Sequence, residues 1–239
     1  MRSHVVAEQE IRGSRRTGDT AETRVTLDAA GGSDRLEQRV VRFGPGRSKP
    51  QQLGEVQGIL YVVEGSGMLH VGGREHALQP EAGAYFIAGE SFEIDNPGAG
   101  PIVTVLVTSR PPNGATPVPD PRVVRYEDRP PLPAGKDREF RYLVHRDTGC
   151  PDVTQFVGMI PPGRAPNHSH VYDEVIYVLE GRGTLHVEGR EFAIEPGTCM
   201  HLPPLLEHAL ENESGSQMRV LGVFHPSGDP ASRAYEANE

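Results

Sequence analysis

No stretch of the 239-residue chain approaches the ~20 consecutive apolar residues needed to cross a bilayer, and charged residues make up 24% against 36% hydrophobic. A helical membrane protein is excluded. The first residues, MRSHVVAEQEI, lack the apolar segment of a secretory signal, so the expected location is the cytoplasm. Positive charge is also scarce: 24 Lys and Arg stand against 33 Asp and Glu, a formal charge of -9. A nucleic-acid backbone, which is held by clustered basic residues, is therefore not the expected partner. The two cysteines, Cys150 and Cys199, are too few and too isolated for a disulfide framework or a thiolate zinc site, and both are expected as free thiols. Helical periodicity is missing from the apolar segments, and no helix-turn-helix stretch is present.

What the chain does hold is turn chemistry. Its 28 glycines and 22 prolines suit short strands separated by tight turns, and the composition leans all-β. It also aligns with itself. Ile59 to Pro80 reads ILYVVEGSGMLHVGGREHALQP and Val175 to Pro196 reads VIYVLEGRGTLHVEGREFAIEP, in register at an offset of 116 residues without a gap. Asn96 and Asn212 continue the match, each followed by a glycine-containing turn and a β-branched run. The repeat unit is a whole domain. β-branched runs broken by Glu-Gly turns have the grammar of antiparallel hairpins, so the expectation is two tandem β-barrels. A tandem sandwich without any site is the plain alternative.

The expected boundaries follow from composition. Residues 1–21 are polar and unpatterned and form an arm or a disordered tail. Residues 22–109 form the first barrel and 136–226 the second. Residues 110–135 form a proline-rich linker, starting with RPPNGATPVPDP, and 227–239 a C-terminal tail.

The second copy contains NHSHVYDE, with His168 and His170 two apart and Glu174 four further on. On a strand, even separations share a face, so the three side chains can converge. His208 follows one hairpin later, after the frame Pro196-Gly197 and Leu202-Pro203. Three imidazoles and a carboxylate suit one divalent transition ion, Fe, Mn, Ni, Cu or Zn, with positions left for water or substrate. Polar residues that merely alternate on strands would be the plain reading of a lone His-x-His. Strand parity adds Tyr172 as a pocket candidate, and Gln155, Met159 and His201 are candidates for the same pocket. Tyr177 should point away, and Asp173, of opposite parity to the ligands, is expected to be structural.

Pro162-Gly163, His168-x-His170-x-x-x-Glu174 and Gly181 resemble the first motif of the cupin superfamily. Gly189, Pro196-Gly197, Leu202-Pro203, His208 and Asn212 resemble the second. The spacing from Gly163 to His168 is one residue shorter than the family usually shows. The resemblance implies a jelly-roll, or double-stranded β-helix, fold in each half, a bicupin. It departs in the first copy, where the ligand positions hold Gln52, Gly54, Gly58 and Phe92, so that barrel is expected to be metal-free unless a shifted alignment recruits Glu55 or Gln57.

Cupins serve many chemistries. The leading expectation is a dioxygenase-like oxidoreductase acting on an enolic or phenolic small molecule, with Glu174 as a ligand that doubles as general base. Isomerisation, cyclisation or decarboxylation at the same centre is the alternative, and a non-catalytic metabolite-binding cupin is the second. Besides the substrate, the one partner expected is a second copy of the chain, through an exposed strand edge.

Overall fold

A computed structural model describes residues 4–111, 118–135 and 137–232. Among them the helical segments are three 3-10 turns, and every strand pairing is antiparallel. None of these helices is long and apolar enough to cross a membrane. The chain folds as two jelly-roll units, each a seven-stranded sheet facing a smaller one.

The repeat explains why both halves take one fold. Asn212 donates its amide to the carbonyls of Ile160 and Ser216, each at 2.8 Å, and accepts from the Ser214 N–H. Asn96 does the same with Phe43, Gly100 and Gly98. Both asparagines thereby pin a turn to the start of the barrel. Gly181 sits at φ +90, and a Cβ there would lie 2.9 Å from Met218 Cα, so only glycine lets these strands approach.

Side chains alternate along Asp173–Glu180. Ile176 and Val178 face the interior of the second unit with Leu185, Met200, Leu202 and Val220. Val175 and Tyr177 point the other way, into a buried cluster that also holds Leu27, Val40, Ile59 and Val105 of the first unit. The two large sheets are thus packed back to back, and the apolar area between them belongs to both halves. Cys150 and Cys199 lie in this shared core as free thiols, and burial pushes both up to about 12.

The termini of the halves are exchanged. His4–Ala7, in the stretch expected as an arm or disordered tail, forms a strand on Thr198–Leu202 of the second unit, from His4↔His201 to Ala7↔Thr198. Within the expected linker, Val123–Arg125 forms a strand on Ala82–Phe86 of the first unit, and Leu132–Pro133 pairs with Glu139 and Phe140 of the second. Residues 112–117 of that linker lie outside the described residues. Each exchanged strand runs into a 3-10 turn, Glu8–Glu10 or Tyr126–Asp128. The Glu8 and Tyr126 amides dock on the carbonyls of Gly197 and Glu81, two positions 116 apart. Glu8 is buried, chelates Arg42 of the first unit at 2.8 and 2.9 Å, and accepts from Tyr177 of the second at 3.2 Å. Proline density hid Val123–Arg125, which prolines flank rather than break, and His4–Ala7 is too short to show a pattern.

Candidate metal centre

His168 and His208 exchange both backbone hydrogen bonds across an isolated bridge, at 3.0 and 2.9 Å. This pairing sets their side chains next to each other, with ring centroids 4.5 Å apart. His170, two residues after His168, joins them at 5.0 and 5.9 Å. One nitrogen from each of the three imidazoles falls within 4.8 Å of the others, and among the described residues this is the one such group of three.

All three rings are held alike. Nδ1 of His168 lies 3.1 Å from the Pro166 carbonyl, Nδ1 of His208 2.8 Å from that of Leu206, and Nδ1 of His170 2.8 Å from that of Ser232. A carbonyl oxygen only accepts, so each Nδ1 carries a proton, and in the neutral ring the lone pair is then on Nε2. A neutral imidazole protonated at Nδ1 is the state in which histidine binds a metal through Nε2. Burial, reinforced by the neighbouring His168, pushes His208 down to about 4, so it is neutral across the ordinary pH range.

Glu174 lines the same cavity but stands outside the group whose ligand atoms lie within 4.8 Å of each other. It is buried, and its Oε2 has no hydrogen-bond partner. Burial, with a smaller contribution from the charge of Asp173, pushes it up to about 8. A carboxyl this costly to bury, with an orphan oxygen and three imidazoles on the walls of the same cavity, suits a site that takes a cation. The donor set suits a borderline divalent ion.

The cavity measures about 90 Å³. Its walls are chiefly apolar, with Phe140, Phe156 and Phe224 on one side and Ile176 and Leu210 on another, while Arg138 and Pro230 also line it. Of the four pocket candidates, Met159 lines the cavity and the other three do not. Gln155 belongs to the opposite face of its strand from Phe156: it is fully buried toward the first unit, with its amide oxygen 2.7 Å from where a Cβ on Gly83 would be. His201 shares the parity of Cys199, faces the shared core, and pairs with Asp173 at 2.7 Å. That contact gives Asp173 its structural role. Tyr172 is half-buried behind the cavity wall, 5.0 Å from the Phe224 ring, stacks at 6.1 Å on His170, and packs against the chain at Gly228. Parity alone had left the choice of face on Gln155's strand open, and it could not see past the end of the strand at Tyr172.

Sequence reasoning missed the phenyl rings, Arg138 and the C-terminal residues Pro230 and Ser232. The aromatic content of Phe140, Phe156 and Phe224 was visible, but only the registers of three strands bring the rings together.

Among the described residues, the positions of the first unit that correspond to the ligands are filled by other packing. Phe92 stacks on Phe86, centroids 4.4 Å apart, and the Leu53 side chain covers Gly58. Gln57 is committed to Ser109, Asp152 and Tyr85, and Glu55 is exposed.

Residues 39–108 and 156–224 each match the Cupin domain family. The chain belongs to the cupin family. Similar solved structures share this bicupin fold along most of its length. A glyoxylate-induced protein of Pseudomonas aeruginosa is 22% identical with a TM-score of 0.80, over 92% of this chain and 88% of that one. The Ylba protein of E. coli is 13% identical with a TM-score of 0.78, over 95% and 92%. Bacillus subtilis oxalate decarboxylase, studied for its Mn(II) centres, is 15% identical with a TM-score of 0.74, over 95% and 78%. In sequence, this cupin is 30% identical over 60 residues to an uncharacterized protein of Methanocaldococcus jannaschii, covering 25% of this chain and 48% of that protein. It is 29% identical over 95 residues to one of Aquifex aeolicus, covering 40% and 76%. The chain thus spans about half the length of the first of these relatives.

Proposed function

We propose that this cupin is a metal-dependent enzyme acting on a small molecule in its second barrel. His168, His170, Glu174 and His208 hold the ion in this reading. The observation that carries it is the set of three imidazoles, each with Nδ1 tied to a carbonyl, around a cavity that also contains a buried carboxyl with one oxygen lacking a hydrogen bond.

A bound divalent ion supplies Lewis acidity there and, if it is iron, nickel or copper, access to O2. The protein's own groups do the rest. Phe140, Phe156 and Phe224 exclude water and offer flat faces to a ring or an enol, and the 90 Å³ cavity limits the substrate to a small one. Glu174, on the cavity wall, would serve as general base for a substrate hydroxyl. These walls favour dioxygenase-like oxidation of an enolic or phenolic substrate.

Arg138 supports a second reading. A guanidinium on the cavity wall suits a carboxylate substrate, and Glu174 could return a proton after non-redox decarboxylation or isomerisation. Its fold is shared with oxalate decarboxylase, but a likeness at 15% identity speaks only for the fold.

The test is metal analysis of protein purified without a metal-binding tag, followed by O2 uptake and CO2 release assays with phenols, enols and small carboxylic acids. About one redox-active ion per chain with O2 uptake supports the first reading, and CO2 release without O2 uptake supports the second. Failure to take up any metal on reconstitution would overturn both and leave a metabolite-binding cupin.

A further inference from the structure

One of the three carbonyls that orient the imidazoles does not belong to the barrel. His168 and His208 each use a carbonyl two residues upstream, in the short connection that leads into the bridge between them. His170 uses Ser232, sixty-two residues later, beyond the final barrel strand Met218–His225.

The segment carrying Ser232 is anchored at several points. The Gly228 N–H donates to Thr154 Oγ1 at 3.1 Å, and a Cβ on Gly228 would collide with the Tyr172 ring. The Asp229 N–H reaches the Tyr172 hydroxyl at 3.5 Å. Asp229 then turns the chain: its Oδ1 accepts from the Ala231 N–H at 2.8 Å, and its carbonyl accepts from the Ser232 N–H at 3.0 Å. Ala231 packs against the cluster of Phe140, Phe156 and Phe224, and Pro230 lines the cavity. These contacts make a strap over the centre, one end on Tyr172 and the other on His170.

We propose that Pro226–Ser232 is a positioning element of the metal centre. Its Ser232 carbonyl selects the His170 tautomer that presents Nε2 to the cavity, while Pro230 closes the wall beside the phenyl rings. The consequence for metal affinity rests on the metal-dependent reading above, whereas the tautomer of His170 does not. Without that carbonyl the ring populates both tautomers, and only the fraction with Nε2 bare is competent to bind. Loss of such a supporting hydrogen bond typically weakens metal binding about 10- to 100-fold.

The test uses full-length variants that leave every ligand in place. Gly228→Ala adds a methyl that has to push the strap off Tyr172, and Asp229→Ala removes the turn-forming carboxylate without adding bulk. Ser232→Ala is the control, because the main-chain carbonyl survives it. Two quantities are read: the His170 tautomer in metal-free protein, by side-chain 1H–15N correlation, and affinity for Mn(II) and Zn(II), by titration. The unaltered chain and Ser232→Ala should show His170 protonated at Nδ1 alone and bind alike. Gly228→Ala and Asp229→Ala should show mixed tautomers and bind about 10- to 100-fold more weakly. An unchanged tautomer and affinity in both variants would overturn the proposal. If the unaltered chain binds neither ion, the metal reading falls, and the tautomer spectra still decide the strap.

Discussion

His201 Nε2 meets Asp173 Oδ1 at 2.7 Å, and at the same two positions of the first unit Tyr85 donates to Gln57 at 2.8 Å. Different side chains thus make one contact in the same place, on the faces where the two large sheets meet. In the second unit the pair sits behind Glu174, holding the strand that carries it against its neighbour.

His201→Ala should therefore cost stability rather than metal. It leaves Asp173 buried without its partner, a loss of about 1–3 kcal/mol in urea unfolding. Metal content should stay at the level of the unaltered chain. A loss of bound metal at unchanged stability would return His201 to the site.

Metal should stabilise the whole molecule. Because Val40 and Ile59 share a buried cluster with Val175 and Val223, and each half carries an edge strand of the other, unfolding is expected in one transition. Saturating Zn(II) or Mn(II) at about 100 times its Kd adds about 2.7 kcal/mol and raises that single Tm. The shift should vanish in the His168→Ala, His208→Ala double variant. Two separate transitions in a calorimetric scan, only one responding to chelator, would contradict the shared core.

Proton linkage offers a test of the cavity itself in metal-free protein. Glu174 is raised from 4.5 to about 8, so as pH climbs between these values the unfolded chain ionises first and stability falls. His208 is lowered from 6.5 to about 4, so between these values the unfolded chain holds the extra proton and stability rises with pH. From pH 4.5 to 6.5 the two offset each other, and from 6.5 to 8 the fall from Glu174 stands alone. Its slope is about 1.4 kcal/mol per pH unit. Denaturant titrations with chelator across this range should show the decline, and Glu174→Gln should abolish it. Equal slopes in the two proteins would mean that Glu174 is ionised in the folded state.

The first unit should behave as a solid core. Phe92→Ala removes one of two stacked rings and should cost about 3–5 kcal/mol, with the metal stoichiometry unaltered. A change in stoichiometry would reveal a second site there.

Much of this was legible in the chain. The offset of 116 gave two like units because Asn96 and Asn212, and the glycines at 65 and 181, each answer the same backbone demand. His168, His170 and His208 could be picked out because strand parity and a hairpin's length are local quantities. The exchange of His4–Ala7 and Val123–Arg125 was not legible, since strands of four and three residues have too little pattern to name a partner. Nor could Ser232 be seen, because its contribution is a main-chain carbonyl that any residue type would carry. Gln155 and His201 were misplaced for a related reason: alternation says that two faces exist, and packing between the halves decides which is which.

The pairing of His4 with His201 has a consequence for biosynthesis. At about 5–20 residues per second, a ribosome takes on the order of 10–40 s to deliver the partner strand. Through that interval His4–Ala7 stays unmatched, and the first unit also lacks its own edge until Val123–Arg125 follows. A gene cut at the repeat boundary would give two polypeptides, each holding the other's missing strand.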